Sequence, residues 1–112
     1  KKQLEQIRAC CARLAGNPGQ KLQIADLAQG CGYSTDHFIR VFKRVCGQTP
    51  KAYLLTVRYH AARDLLAYSA MTLAELAQAL GYGAATVFNR QFHARAGLSP
   101  GGFRRSLQSK RA

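Results

Sequence analysis

The seven residues "LAQGCGY" at Leu27–Tyr33 return as "LAQALGY" at Leu76–Tyr82. This echo constrains the fold more than any other feature of the chain. Ala28 and Ala77, Gly32 and Gly81, and Tyr33 and Tyr82 all stand 49 residues apart. Past the turn the offset becomes 50, relating Phe38 to Phe88, Arg40 to Arg90, Phe42 to Phe92, Gly47 to Gly97 and Pro50 to Pro100. The turn of the second copy therefore holds one extra residue. Two copies are too few for a solenoid, which buries its core by stacking at least about three repeats. A duplicated working unit fits instead.

Counted from Ile24, the unit has a small Ala fifth, a Gly ninth, and apolar residues fourth, eighth and tenth (Leu27, Cys31 and Tyr33). Phe38 and Val41 follow where a second helix must face the first. A helix-turn-helix needs this set: the Ala admits a close helix crossing, the Gly a permissive turn, and the apolar positions hold the angle. Leu76, Ala77, Leu80, Gly81 and Tyr82 supply the same set again.

Around these motifs the periodicity is helical throughout. Leu4, Ile7, Cys11 and Leu14 mark an opening helix that "GNP" at Gly16–Pro18 stops. A short helix runs from about Ile24 to Cys31. The next, capped by Ser34 or Thr35, runs to about Cys46, with Phe38, Val41, Phe42 and Val45 inward and Gly47 as a left-handed C-cap. Pro50 opens the longest helix, to about Ala67, with Tyr53, Leu54, Val57, Ala61, Leu65 and Leu66 along it. Thr72 caps another short helix, a further one spans about Ala85 to Gly97, and Ser99 and Pro100 start the last. The expectation is an all-α chain of about seven helices. Residues 1–49 hold the first helix-turn-helix, 50–67 a connecting helix, and 68–112 the second motif.

Composition adds the partner class. Seventeen Lys and Arg against five Asp and Glu give a net charge of +12 and a pI near 10.2. Such basicity favours polyanions, because each neutralised phosphate releases condensed counterions. No apolar run approaches the roughly 20 residues of a membrane span, and no signal peptide is evident. The chain opens at Lys1 without Met, as a piece of a longer protein would. Cys10, Cys11, Cys31 and Cys46 form no C-x-x-C motif, so they read as small apolar residues of a cytoplasmic protein, not as a zinc site or disulfide framework. Catalytic motifs are lacking as well, and neither enzyme activity nor a cofactor is expected.

The paired motifs resemble the DNA-binding domain of the AraC/XylS family of bacterial transcription regulators. The resemblance rests on "ADLAQGCGYSTDHFIRVFKRVCGQTPKAYL", "VRYHAARDLL" and "LAELAQALGY…VFNRQFHARAGLSPGGFRR", spanning about Leu22 to Arg105. It implies two helix-turn-helix subdomains on a rigid connector, each placing its second helix in one of two successive major-groove segments of double-stranded DNA. A connector of about 18 residues is roughly 27 Å long, commensurate with the roughly 34 Å of one DNA turn once the reading helices add their offsets. The family also implies RNA polymerase as a partner. It further implies a preceding domain through which the full-length protein can dimerise, whereas the fragment itself is expected to be monomeric and away from membranes.

By resemblance Asp36, Ile39 and Arg40 fall on base-contacting positions of the first reader, and Ala85, Thr86, Asn89 and Arg90 on those of the second. Arg40 suits bidentate contact to guanine, Ile39 a thymine methyl, and Asn89 an adenine. Asp36 is open to two roles, accepting from cytosine or capping its helix, with capping favoured. Thr35, Lys43, Arg44, Arg104 and Arg105 are expected at phosphates, which position without specifying. Arg58 and Arg63 on the connector, and Arg104 and Arg105 on the last helix, read as structural or phosphate-facing, not base-reading, and His37 and His60 as surface or packing residues. Three departures stand out. Ala84 and Ala85 replace polar residues, His93 and Ala94 replace a basic pair, and Gly101 and Gly102 weaken the start of the last helix. They leave backbone clamping as the alternative role of the second reader. For the whole chain the alternative is a basic protein-interaction or non-specific nucleic-acid-binding module.

Overall fold

The computed structural model describes residues 2–21 and 23–111, apart from the side chains of residues 110 and 111. Leu22, where the family resemblance was expected to begin, lies outside the described residues, as does Lys1. Seven helices make up the described chain, with no strand among the described residues: α1 (Lys2–Gly16), α2 (Ile24–Gly30), α3 (Thr35–Cys46), α4 (Pro50–Tyr68), α5 (Leu73–Ala79), α6 (Ala85–Ala96) and α7 (Pro100–Arg111). The all-α expectation holds, with helix ends within a residue or two of those the sequence marks.

Local chemistry sets those ends. Ser34 caps α3, its Oγ accepting from the His37 N–H. The favoured capping role of Asp36 is thereby corrected. Asp36 sits inside the first turn, where a carboxylate meets the positive end of the helix dipole but does not close it. Thr49 and Ser99 do for α4 and α7 what Ser34 does for α3, accepting from Ala52 and Gly102. α5 begins with a full capping box. Thr72 Oγ1 accepts from Glu75 N–H and the Glu75 carboxylate accepts from Thr72 N–H at 2.8 Å. The Thr72 backbone N–H first, and then its hydroxyl, hold the Glu75 carboxyl below its ordinary range.

The two motif turns are built alike. Gly32 and Gly81 take φ of 78° and 84°, the left-handed region open to Gly without strain. Tyr33 and Tyr82 then donate their N–H to Ala28 and Ala77, each at 2.9 Å. The inserted residue is Gly83, also left-handed at φ 85°.

The chain divides into two compact units, meeting within α4 between Val57 and Arg58. The first buries Ile7, Cys10, Leu14, Leu27, Ala28, Phe38, Val41 and Phe42, with Tyr53 and Leu54 packed against them. In the second, the buried set is Ala62, Leu66, Leu76, Ala77, Leu80, Phe88 and Phe92, backed by Tyr59, Leu65 and Phe103. Leu27, Ala28, Phe38 and Phe42 of the first core recur as Leu76, Ala77, Phe88 and Phe92 of the second. In α1 the expected stripe shifts: Cys10 is buried, Cys11 half-buried and Leu4 exposed. α4 shows no single apolar stripe because its two halves belong to different cores.

Candidate nucleic-acid interface

Phe38, Val41 and Phe42 anchor the inner face of α3, all buried to 1% exposure or less. Helical geometry then turns the remaining positions outward. Thr35, Asp36, Arg40, Lys43 and Arg44 are exposed and Ile39 is half-buried beside them. All six candidates of the first reader therefore share one outer face. The side chains of Arg40 and Lys43 make no hydrogen bond among the described residues. Arg44 donates through Nη2 to Gln3 Oε1 of α1 at 3.1 Å, a contact that orients it without neutralising it.

α1 fixes this helix pair from behind. Gln6 Nε2 donates to the Cys31 carbonyl at the motif turn, and the Tyr33 hydroxyl donates to Gln6 Oε1 at 2.9 Å. His37 packs edge-on against Tyr33, with ring centroids 4.9 Å apart. Nothing in the sequence pointed to Gln6; only the approach of α1 to the turn gives it a role.

In the second unit Phe88 and Phe92 anchor α6. Thr86, Asn89 and Arg90 are exposed on its outer face and Ala85 is half-buried. Thr86, Asn89, Arg90, His93, Ala94 and Ser99 line an open concavity of about 680 Å³. His93 and Ala94, the departures, thus lie on the same face as the candidate readers, and Ser99 joins them from the start of α7. Nothing in the chain's residue pattern marks Ser99 beyond its capping position. Ala84 precedes α6 without a side-chain cap.

Behind this reader stands a layer of arginines on aromatic rings. The Arg95 guanidinium of α6 lies 4.9 Å from the Tyr59 ring centre of α4, and Arg63 lies 5.9 Å from the same ring and 5.5 Å from Phe103. Arg58 sits 5.8 Å from the Tyr82 ring. Burial pulls the Arg58 guanidinium below its ordinary value, against the pull of Tyr82, and pushes the Tyr82 hydroxyl up. Cation–π contacts of this kind tie α6 and its turn to α4.

One expected phosphate contact is corrected. Arg104 turns inward: Nη1 donates to Met71 O at 2.6 Å, Nε to Leu66 O at 3.1 Å, and Nη2 to Ser69 O and Leu65 O. Its planar fork thereby gathers carbonyls from the last turn of α4 and from the segment that follows it; of these, Leu65 O also accepts from the Ser69 N–H and hydroxyl. Arg105, the next residue, is exposed. Among the described residues no group of three or more His, Cys, Asp or Glu side chains is placed to hold a metal ion. No helix among them is long and apolar enough to cross a membrane.

Fold and face together define a class: an all-α domain with two helix-turn-helix motifs, each presenting an exposed polar second helix. Comparison with known proteins gives the family. A family model described as "Helix-turn-helix domain" matches residues 27–106, and the chain belongs to this family, in its AraC-type branch. An HTH-type transcriptional regulator of Mycobacterium tuberculosis is 35% identical over 92 residues, 82% of this chain and 36% of that protein. The MmsAB operon regulatory protein of Pseudomonas aeruginosa is 33% identical over 88 residues, 79% of this chain and 29% of its own. The chain thus spans about a third of the length of these relatives. Among solved structures, the DNA-binding domain of the global transcriptional factor AdpA, in complex with a target DNA, superposes with a TM-score of 0.89. That match has 24% identity and covers 94% of this chain and 95% of the other. An AraC-type regulator of Chromobacterium violaceum gives 0.82 at 22% identity over 92% of both chains.

Proposed function

We propose that this chain is the sequence-specific, double-stranded-DNA-binding domain of a bacterial transcription regulator, with α3 and α6 entering adjacent major-groove segments. One observation carries the reading. Both motif second helices are anchored by a buried Phe pair and turn their polar residues outward, on a chain of charge +12. Asp36, Ile39 and Arg40 are the base-facing residues of α3, and Ala85, Thr86, Asn89 and Arg90 those of α6. Thr35, Lys43, Arg44 and Arg105 meet phosphates. Residues 1–49 and 68–112 each carry one reader and 50–67 join them. RNA polymerase is the second partner, the cytoplasm the compartment, and dimerisation a property of a domain outside this chain. These last points rest on the family alone.

The two readers are unequal. α3 offers an arginine, a lysine, a second arginine and a carboxylate, whereas α6 offers Thr86, Asn89 and Arg90 beside Ala85, Ala94 and His93. Specificity therefore rests mainly on α3, with α6 holding the backbone and reading little.

Selection of preferred sites from random duplexes tests the reading. A site favoured by a factor of about 10³ or more over random DNA is expected. Arg40→Ala should relax preference at one base position, and Lys43→Ala should weaken all sequences alike. Equal affinity for every duplex would leave a non-specific module, and no affinity at low salt a protein-interaction module.

A further inference from the structure

Four cysteines, scattered in sequence, meet in the first unit as two pairs across helices. Cys11 Sγ of α1 lies 3.3 Å from Cys46 Sγ in the last turn of α3, and Cys10 Sγ lies 3.8 Å from Cys31 Sγ at the motif turn. All four are free thiols. A packing role alone asks only for small apolar volume at each position, which Ala or Val supplies equally well. It does not ask for sulfur facing sulfur from separate helices.

We propose that Cys11 and Cys46 form an oxidation-responsive dithiol, whose disulfide fastens α1 to the end of the first reading helix. Access separates this pair from the other. Cys11 and Cys46 are both half-exposed, so an oxidant can reach either member, whereas in the other pair only Cys31 is half-exposed and Cys10 is 5% exposed. A low-molecular-weight disulfide such as oxidised glutathione supplies the oxidising equivalents. One protein thiolate attacks a glutathione sulfur, forming a mixed disulfide and releasing one glutathione thiolate. The second protein thiolate attacks the protein sulfur of that bond, closing Cys11–Cys46 and releasing the second. Two protein thiols are oxidised, one glutathione disulfide is reduced, and the two protons pass to the departing glutathiones.

Cys11 enters as attacker in one step or the other. Burial, then the neighbouring Cys46 and, more weakly, Cys10, push its thiol up to about 12, against the Tyr53 hydroxyl of α4, which pulls it down, so it is almost wholly protonated near pH 7. The exchange is accordingly slow at neutral pH and quickens as pH rises. This is a clamp for sustained oxidising conditions, not a fast sensor. The bond closes a loop of 35 residues, which restricts the unfolded chain. Its sulfurs lie against α1, and the exposed reading residues of α3 are not used.

The test incubates the chain with oxidised glutathione at pH 7 and pH 9 and maps disulfides by non-reducing peptide mass spectrometry. A Cys11–Cys46 bond is expected, formed faster at pH 9, reversed by dithiothreitol, and raising the thermal midpoint by several degrees. Cys11→Ser should abolish the bond and Cys10→Ser should keep it. A Cys10–Cys31 bond alone, only intermolecular bonds, or no bond in the unsubstituted chain overturns the proposal. So does a bonded chain whose midpoint falls. The mapping needs neither variant to fold and no DNA, so its failure leaves the DNA-binding reading untouched.

Discussion

Arg104 and Arg105 are neighbours of identical chemistry with different fates. Arg105 is exposed, while Arg104 gives its fork to four carbonyls, two in the last turn of α4 and two just beyond it. Charge-assisted bonds of this kind are stronger than neutral ones, and losing them leaves half-buried carbonyls short of a donor. Arg104→Ala should lower unfolding stability by about 2–3 kcal/mol, and Arg104→Lys should recover less than half of that, because an ammonium lacks the planar fork. Denaturant titration checks both. Arg105→Ala should leave the midpoint unchanged. Nothing in "FRR" separates the two; the inward turn of one side chain does. Asp36 shows a milder form of this limit: the sequence offers Ser34, Thr35 and Asp36 at one helix start, and the Ser34 hydroxyl is the one that caps.

At the scale of elements, the two readers differ at their first turns. α3 has its Ser34 cap, and α6 starts behind Ala84, whose extended backbone (φ −121°, ψ 147°) already suits a capping side chain. Ala84→Ser should therefore add about 1 kcal/mol of stability, and Ser34→Ala should cost about as much. Chemical denaturation of each variant against the unsubstituted chain measures the change. A stabilised Ala84→Ser chain with unchanged DNA preference would also mark α6 as a clamp. Most of this level was legible in the sequence. Caps, left-handed glycines and helix-starting prolines act within a few residues, and the shift from 49 to 50 already located the insertion that proves to be Gly83. The stripe of α4 was not legible. Tyr53 and Leu54 serve one core and Ala62 and Leu66 the other, so no single periodicity runs through it.

For the molecule as a whole, the charge of +12 sets an electrostatic term that no single contact carries. Affinity for duplex DNA should fall steeply with salt, with a log–log slope of about −0.9 for each phosphate neutralised. Lys43→Ala should flatten that slope by about 0.9, and Arg104→Ala should leave it unaltered. Equilibrium binding between 50 and 200 mM salt distinguishes a phosphate contact from an internal staple in this way. An equal change for both would return Arg104 to the interface.

The sequence by itself determined the duplication, the seven helices, their ends and the outward residues of both readers. Each of these follows from local spacing and local hydrogen bonding, which act before any distant part of the chain arrives. Only the tertiary structure decided that Arg104 is internal, that Gln6 braces the first turn, that α4 is shared by two cores, and that four scattered cysteines meet in pairs. Those outcomes depend on which helices approach each other and at what rotation. Such contacts are set by the packing of whole faces, and residue identities read one after another do not carry that information.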